Sequence, residues 1–264
     1  YVKKADAFYE KLKRYGYRPW ERVGISGIEQ SYDAYLKGQD GGRLIEVDAR
    51  GRIVGFLGER LSMKGADITL TINSKIQKIA YQSLSTHNGV ILLMDSDSGQ
   101  LLTFCSKPSF NLNSFISGKG LGKIFKDPRS PLLSRAHQAL YPIGSTFKPV
   151  VAIAALEESI SSPATTFKCE GKISIANYDF KCWSRHDEED LYQALAHSCN
   201  VYFYKLGLKV GPELLSKWAK KFGLGTETGL DLPNSKKATV PNIAWKRNKL
   251  KQGWYAGDTV NFSI

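Results

Sequence analysis

The amino-acid sequence predicts a mixed α/β (α+β) fold, in which antiparallel strands are flanked by helices and a small module precedes them. Three observations lead to this prediction. Residues 1–64 are rich in glycine and charge and contain only short periodic stretches. From Asp67 onward a strand pattern, a helix pattern and a hairpin pattern follow one another, and most of Ser145 to Leu224 has helical spacing. Strands that precede a long helical run are typical of α+β domains.

The N-terminal module contains short elements joined by turns. Apolar spacing predicts a helix over Ala5–Tyr15 and a second one over Gly24–Tyr35, with Ser26 as its N-cap. Two strands are predicted at Leu44–Asp48 and Arg52–Phe56, on either side of a glycine-containing turn. A segment of this size and composition is a poor independent enzyme, so we interpret it as a stalk or docking module.

The pattern beyond this module changes to longer elements. Alternation predicts a strand over Ile68–Ile72, and an amphipathic helix follows over Ser74–Leu84. The strands Val90–Asp95 and Leu101–Cys105 flank a turn and predict a hairpin. The later helical region is interrupted by one predicted excursion, Lys172–Phe180.

The basic composition limits the classes of partner. The 264 residues carry a formal net charge of +12. Such a surface attracts nucleic acid, anionic lipid or acidic cell-wall polymer. No zinc-finger helix or RNA-binding aromatic signature is present, and the basic residues are spread along the whole chain. We therefore expect no nucleic-acid partner.

Membrane and targeting signals are also missing from the sequence. No apolar run approaches the roughly 18 to 20 residues that span a bilayer. No signal peptide opens the chain, because its first residues have no apolar core behind them. We expect the protein either to be cytosolic or to be a piece of a protein that is anchored upstream.

The stretch around Ser145 carries the strongest chemical signal. Pro142 and Gly144 interrupt the preceding pattern, and the apolar run Val150–Leu156 continues as a helix. Ser145 therefore lies at or near a helix N-terminus, with Lys148 one turn later on the same face. A lysine with a lowered pKa can take the proton of a serine nucleophile, and the helix N-terminus favours an oxyanion beside it. An S-x-x-K match is expected by chance about once in such a chain, so its position supports this interpretation.

A second polar pair follows about fifty residues later. Ser198 and Asn200 lie between two helical patterns, Glu189–Ala196 and Tyr202–Gly207. In a turn between helices, residues i and i+2 can face the same side, so we expect both side chains to face Lys148 across a cleft. Ser198 can relay a proton to a leaving amine, and the amide of Asn200 can hold Lys148 and the substrate backbone.

Further motifs occur in a fixed order over nearly the whole chain. They are GISGIEQSYDAYLKGQDG, VDARGRIV, SFNLNSF, DPRSPLLSRAHQALYPIGSTFKPVVAIAAL, SCNVYFYKLG, FGLGTETGLDLP and WYAGDTVNFSI. S-x-x-K combined with a later S-D-N-type motif is typical of penicillin-binding proteins and class A β-lactamases. The sequence as a whole resembles class B penicillin-binding proteins, and the elongation type, penicillin-binding protein 2, matches it best.

The resemblance implies a fold and an activity. The fold is the penicillin-binding/serine transpeptidase fold, with a central antiparallel sheet flanked by helices and a small N-terminal pedestal. The activity is D,D-transpeptidation of peptidoglycan in cell-wall elongation and cell shape. The resemblance makes Ser145 the acylated nucleophile, Lys148 its base, and Ser198 with Asn200 the second-motif pair. The serine attacks the D-Ala-D-Ala bond of a stem peptide, β-lactams acylate the same serine, and no cofactor is implied for catalysis.

The resemblance also implies partners, a location and a domain division. The pedestal, represented by residues 1–64, docks a membrane glycan polymerase and cell-shape scaffold proteins. Residues 65–264 form the transpeptidase domain. The family acts at the cell inner membrane with its enzyme domain in the periplasm, and its membrane anchor is not present in this chain. The family's third motif, K-[ST]-G, does not occur either. We therefore expect the chain to be C-terminally incomplete and inactive as given.

Three cysteines and a histidine lie close together in the sequence. Cys169, Cys182, His186 and Cys199 provide three thiolates and one imidazole, a ligand set suited to tetrahedral zinc. The spacing is not that of a zinc-finger repeat, so a disulfide between two of the cysteines and free thiols remain alternatives. Some members of the family that this sequence resembles carry a metal site beside the second motif, and this favours a structural zinc ion. Asp179 is an alternative ligand.

The remaining histidines and cysteine are expected to be structural. His87 and His137 are interpreted as surface or packing residues, and Cys105 as a core thiol in its strand.

Two other functions fit part of the sequence. A β-lactamase or a β-lactam-sensing domain shares the serine chemistry, but such proteins do not resemble residues 1–64. A catalytically silent cell-wall scaffold would use the pedestal alone. The intact set of Ser145, Lys148, Ser198 and Asn200 argues against that reading, and the missing third motif keeps it open.

Overall fold

A computed structural model describes Tyr17 and residues 21–264. The helix predicted over Ala5–Tyr15 lies outside these residues. The α-helices are α1 (Gly27–Ser31), α2 (Asp33–Leu36), α3 (Ser74–Ser83), α4 (Asn113–Ser117), α5 (Leu121–Lys126), α6 (Arg135–Gln138), α7 (Lys148–Glu157), α8 (Leu191–Ala196), α9 (Asn200–Val210), α10 (Pro212–Lys221), α11 (Ile243–Trp245) and α12 (Ala256–Phe262). A 3₁₀ helix covers Gly144–Phe147 and a π-helix covers Lys246–Leu250.

The strands form antiparallel pairs. They are β1 (Gly42–Val47), β2 (Ile53–Arg60), β3 (Gly89–Met94), β4 (Leu101–Lys107), β5 (Phe167–Cys169), β6 (Lys172–Ile175), β7 (Tyr178–Lys181) and β8 (Asp187–Glu189). β1 pairs with β2, β3 with β4, β5 with β8 and β6 with β7. Antiparallel pairs combined with a long helical region confirm the predicted α+β class. Within the described residues, no helix is long and apolar enough to cross a membrane.

The chain divides into two compact units. The first extends to Gln138 and also includes Leu230–Ser235, and the second comprises Ala139–Gly229 and Lys236–Ile264. The strand pairs β1–β2 and β3–β4 belong to the first unit, and the other two pairs belong to the second. This division by contacts does not test a domain boundary after residue 64, which stays a prediction.

The first unit confirms both predicted hairpins and corrects one predicted strand. The alternation over Ile68–Ile72 predicts a strand, but that segment is irregular. It reaches β4 only at its end, where the hydroxyl of Thr71 donates to the Leu101 carbonyl at 2.6 Å. The N–H of Asn73 then donates to the Leu102 carbonyl at 2.9 Å, and the Asn73 side chain caps α3. The chain thus enters a helix before a ladder can form.

The helix predicted over Gly24–Tyr35 is interrupted. Two short helices, α1 and α2, occur instead, and they are separated at Tyr32. Ser26 occupies the N-cap position, but its hydroxyl makes no capping hydrogen bond. The carboxylate of Asp33 accepts the N–H of Gly24 at 2.9 Å, so α2 rather than Ser26 secures the chain in front of α1.

Helix α9 lies at the centre of the second unit and packs against α7 and α12. The buried residues of α9 are Val201, Tyr202, Phe203, Tyr204, Leu206, Gly207 and Val210. Beside it, the rings of Phe147 and Phe262 stack with centroids 5.3 Å apart and an angle of 13° between planes. Each fully buried large apolar side chain contributes about 1.5–3 kcal/mol, so this core fixes the directions of α7 and α9.

The predicted excursion from the helical region is confirmed and is larger than the sequence indicates. Lys172–Phe180 corresponds to the hairpin β6–β7, and a second pair, β5–β8, encloses it. Glu189, which the helical pattern placed at the start of a helix, is the last residue of β8. Helix α8 begins only at Leu191, where Asp190 and Gln193 form a capping box.

Gly207 marks a close approach between α9 and the end of α12. A Cβ atom at Gly207 would lie 1.8 Å from Oγ of Ser263 and 2.6 Å from its Cβ. Ser263 is fully buried, and its hydroxyl donates to the Thr259 carbonyl at 2.6 Å. This serine therefore has little room to move away.

We expect Gly207→Ala to destabilise the protein by about 1–3 kcal/mol, because overpacking outweighs the gain in helix propensity. Alanine gains roughly 1 kcal/mol of propensity over glycine inside a helix. Thermal unfolding measures the effect as a lowered Tm. Gly122→Ala in α5 is the matched control, because nothing lies within 4 Å of its Cβ position. Adding Ser263→Gly should recover part of the loss, whereas an unchanged Tm for Gly207→Ala would contradict the close contact.

Candidate active site

Ser145 lies in the first turn of a helix, as the sequence predicts. The turn is a 3₁₀ helix that runs directly into α7 at Lys148. Gly144 has a φ of +60°, a left-handed conformation that glycine adopts without strain. The side chain of Ser145 is exposed and its hydroxyl makes no hydrogen bond to another described residue. A reacting group can therefore approach this hydroxyl from solvent.

Lys148 is the most constrained residue of the site. It is only 1% exposed. Its Nζ donates to the Ser198 carbonyl at 2.6 Å, to Ser198 Oγ at 3.0 Å and to Asn200 Oδ1 at 2.7 Å. A protonated lysine has three N–H donors, so these three acceptors use all of them. The sequence prediction that Lys148, Ser198 and Asn200 converge is confirmed.

Burial makes the amine of Lys148 easier to deprotonate than that of an exposed lysine. Burial lowers the pKa of its ammonium group below the ordinary lysine value, and negative charge on Cys182 and Cys199 partly opposes this shift. A neutral amine has a lone pair, which is what a general base needs. The pair of an exposed serine hydroxyl and a buried amine one turn later can thus perform serine acyl transfer.

Residues His197–Asn200 form the second-motif turn between α8 and α9. Ser198 has a φ of +51°, and Cys199 is the N-cap of α9, accepting the N–H of Tyr202 on its sulfur at 3.4 Å. Asn200 is already the first residue of α9, whereas the sequence pattern starts this helix at Tyr202. The side chain of Cys199 is fully buried.

The four predicted metal ligands converge beside this turn. One donor atom from each of Cys169, Cys182, His186 and Cys199 lies within 4.8 Å of the others. His186 Nδ1 is 3.5 Å from the sulfur of Cys169 and 3.6 Å from that of Cys182. All of these cysteines carry free thiols, so the structure does not contain the alternative disulfide.

The thiols of the cluster differ in acidity. Burial opposes ionisation of Cys182, but backbone N–H groups of Ser184, Val201 and Asn200 bind its sulfur and lower its pKa overall. Burial raises the pKa of the Cys199 thiol to about 12. The N–H of Asn200 donates to Cys182 Sγ at 3.2 Å, so the cluster contacts a residue that holds Lys148.

Other residues named from the sequence lie outside the cluster. Asp179 binds Lys172 at 2.5 Å and the hydroxyl of Ser174 at 2.6 Å, and is not part of the group of converging ligands. Cys105 is a buried thiol in β4, as predicted. His137 contacts the ring of Phe104 and has a packing role, as predicted.

Three interacting residues near the site, His197, Glu189 and Trp183, were missed by sequence reasoning. His197 Nδ1 donates to Oε1 of Glu189 at 2.8 Å, and Glu189 is only 2% exposed. The indole N–H of Trp183 donates to the His197 carbonyl at 3.0 Å. The one signal in the sequence is that His197 directly precedes Ser198. Glu189 gives no signal, because a three-residue strand such as β8 is too short to show a periodic pattern.

Comparison with known proteins places this site in a family. Residues 89–264 match the family model described as the penicillin binding protein transpeptidase domain. The chain belongs to the penicillin-binding protein transpeptidases. Residues 1–70 of this penicillin-binding protein also match the penicillin-binding protein dimerisation domain. The family resemblance predicted from the motifs is thereby confirmed, together with the fold.

Individual relatives agree with this assignment. This penicillin-binding protein is 33% identical over 249 residues to the peptidoglycan D,D-transpeptidase MrdA of Acinetobacter baumannii, a match that covers 92% of the chain and 37% of the relative. It is similar to penicillin-binding protein PBP2 of Helicobacter pylori, solved in complex with MreC, with a TM-score of 0.86 and 34% identity. That match covers 97% of this chain and 49% of the other.

A further solved structure, of a peptidoglycan synthase complex that coordinates polymerization and crosslinking, is similar with a TM-score of 0.83 and 31% identity. The match covers 96% of this chain and 48% of the other. The chain thus spans about half or less of the length of the proteins that it matches.

We expect the ε-amino group of Lys148 to titrate below the ordinary lysine pKa of about 10.4, because burial disfavours its charged form. As pH rises, the neutral amine then appears at Lys148 before it appears at exposed lysines. NMR of protein labelled at lysine ¹³Cε measures the midpoint, and Lys148→Met assigns the signal. A midpoint equal to that of the exposed Lys119 would contradict the effect of burial.

Proposed function

We propose that this protein is a peptidoglycan D,D-transpeptidase, which cross-links stem peptides through a serine acyl-enzyme during cell-wall elongation and in the maintenance of cell shape. The observation that carries the proposal is the buried amine of Lys148, held within 3.0 Å of Ser198 and Asn200 and one helical turn after an exposed Ser145. Family membership and a relative named as a D,D-transpeptidase support it.

Each residue has a role in the proposed reaction. Neutral Lys148 takes the hydroxyl proton as Ser145 Oγ attacks the carbonyl carbon of the terminal D-Ala-D-Ala bond. The C–N bond then breaks, and Ser198 relays a proton to the departing D-Ala amine. Asn200 holds Lys148 and the substrate backbone. An amine of a neighbouring stem peptide attacks the ester carbon and releases Ser145, which recovers its proton. No cofactor takes part in these steps.

β-Lactams are proposed as covalent inhibitors that acylate the same serine. In Ser145→Ala, labelling by a fluorescent penicillin should be lost, because the attacking oxygen is absent. The measurement uses the protein at full length, with gel fluorescence and mass mapping of the labelled peptide. Thr146→Ser is the matched control, since it keeps an adjacent hydroxyl and should label normally. Unchanged labelling of Ser145→Ala would contradict the assignment of Ser145 as the nucleophile.

The same experiment separates the competing functions. A stable adduct at Ser145 fits a transpeptidase or a β-lactam sensor, and rapid release of hydrolysed drug fits a β-lactamase. No adduct at any serine fits a silent scaffold. A second assay, the transfer of a stem peptide to an amine acceptor, then separates a transpeptidase, which catalyses this transfer, from a sensor, which does not.

The N-terminal module is proposed to dock partners rather than to take part in the chemistry. Residues 1–64 would belong to the pedestal and residues 65–264 to the transpeptidase domain. The match of residues 1–70 to a dimerisation domain supports this division. Large apolar side chains of the β1–β2 hairpin are exposed, namely Leu44, Val47, Ile53, Val54, Phe56 and Leu57. Such a surface suits protein partners.

A membrane-embedded glycan polymerase and cell-shape scaffold proteins are the partners that we propose. Similar proteins have been solved with MreC and in a peptidoglycan synthase complex, which supports both classes. With these partners and a peptidoglycan substrate, the protein would act at the periplasmic face of the cell inner membrane.

A structural zinc ion is proposed for Cys169, Cys182, His186 and Cys199. Tetrahedral zinc with ordinary Zn–S and Zn–N bonds would separate the nitrogen from each sulfur by roughly 3.5 Å. The observed separations of 3.5 and 3.6 Å from His186 Nδ1 fit this geometry. Three thiolates and one imidazole close the coordination shell, so the ion would brace the second-motif turn and leave the chemistry to the serine and lysine.

Purified protein should contain about one zinc ion per chain with all cysteines reduced. Cys182→Ser should lose the metal, because only three ligands remain, whereas Cys105→Ser should retain it. Metal removal should lower the Tm, since binding to the folded state adds to stability, and should slow acylation of Ser145. Metal analysis and thiol counting test this. Metal-free protein with a disulfide among the three cysteines would rule the site out.

A further inference from the structure

The second-motif turn contains a strained residue at its catalytic position. Ser198 has a left-handed φ of +51°, a conformation that costs non-glycine residues about 1–2 kcal/mol. Such a conformation persists only where surrounding contacts hold it. Neighbouring groups must therefore hold the peptide that joins His197 to Ser198.

Three contacts hold His197 from different directions. Its carbonyl oxygen, which belongs to the peptide preceding Ser198, accepts the indole N–H of Trp183 at 3.0 Å. Its ring donates from Nδ1 to Oε1 of Glu189 at 2.8 Å. The ring also stacks on His186, with centroids 5.9 Å apart and planes 4° from parallel. Both the peptide and the side chain of His197 are thereby fixed on the N-terminal side of Ser198.

Glu189 has no role in the proposed chemistry or in the metal ligand set, yet its burial is costly. It is only 2% exposed, and its Oε2 makes no hydrogen bond to any described residue. A buried carboxylate with one unpartnered oxygen costs stability, so its presence in a native fold calls for an explanation. Its one side-chain partner is His197, the residue before Ser198.

We propose, on the basis of the function proposed above, that Glu189 and Trp183 are positioning residues, which act through His197 to aim the Ser198 hydroxyl at Lys148. Ser198 Oγ lies 3.0 Å from Lys148 Nζ. A rotation of the preceding peptide displaces this hydroxyl while leaving Ser145 untouched. Misplacing a reacting group by about 1 Å can cost up to roughly a hundredfold in rate.

This clamp contains none of the proposed metal ligands but contacts them, since the rings of His197 and Trp183 both pack against His186. The cysteine that follows Ser198 belongs to the ligand cluster, so the metal would brace the C-terminal side of the turn. Glu189 and Trp183 hold the N-terminal side, through a residue that is not a ligand. Zinc content is therefore measured for each clamp variant, and acylation rates are compared only among variants that retain the metal.

The test measures acylation kinetics of full-length protein with a fluorescent penicillin, separating the rate constant of acylation from the initial binding constant. Trp183→Phe removes the indole donor and keeps an aromatic ring at a position that is 69% exposed, so the fold should be retained. We expect the acylation rate constant to fall roughly tenfold or more, with the binding constant and Tm unchanged. Tyr192→Phe, an exposed neighbour on α8, is the control and should behave like the unsubstituted protein.

Two variants at Glu189 test the other contact. Glu189→Leu removes the acceptor of His197 and should slow acylation, whereas Glu189→Gln keeps an oxygen acceptor of the same size and should restore most of the rate. If Glu189→Leu fails to fold, Trp183→Phe still tests the proposal. Equal rates for Glu189→Leu, Glu189→Gln and the unsubstituted protein would overturn the role of Glu189.

A double-mutant cycle distinguishes positioning from a general structural effect. If Trp183 acts through the Ser198 hydroxyl, Trp183→Phe should change the rate by less than about twofold in a Ser198→Ala background. The same loss in both backgrounds would overturn the proposal. Absence of acylation at Ser145 in the unsubstituted protein would instead refute the proposed function itself, so the two failures are distinguishable.

Discussion

The second unit depends on the burial of one ammonium group. Water solvates a lysine amine strongly, and a packed interior accepts it only if other acceptors replace that water. For Lys148 all three replacements come from the turn that contains Ser198 and Asn200. The turn therefore cannot shift without leaving a buried donor unpaired, and α7 and α9 are held together by a polar contact inside their apolar packing.

In the second-motif turn, residues that contact Lys148 alternate along the chain with a buried residue that supports the fold. Ser198 and Asn200 contact Lys148, while Cys199 between them is buried among the other thiols and caps α9. The two strand pairs between α7 and α8 bring Cys169 and Cys182 next to Cys199. One segment of backbone thus contains both the residues that contact Lys148 and a cysteine of the proposed metal site.

Sequence reasoning predicted the site residues that lie in a helix with a clear period or in a known motif. Ser145 and Lys148 lie on one turn, and Ser198 and Asn200 meet that lysine, because helix starts and turns follow local rules. The position of Glu189 could not be predicted, since a three-residue strand is specified by pairing with Phe167 across the sheet. The alternation over Ile68–Ile72 predicted a strand that does not form, again because a strand needs a neighbouring strand to pair with.

The contrast between an exposed Ser145 and a buried Lys148 has a consequence for the folding stability of a protein that is acylated at Ser145, as proposed above. An ester formed on Ser145 adds its atoms outside the packed interior, so it opens no cavity and displaces no core side chain. Cellular proteases degrade chains that expose unfolded segments. If β-lactams acylate Ser145 as proposed, the modified protein would keep its native surface and would not be recognised as unfolded by those proteases.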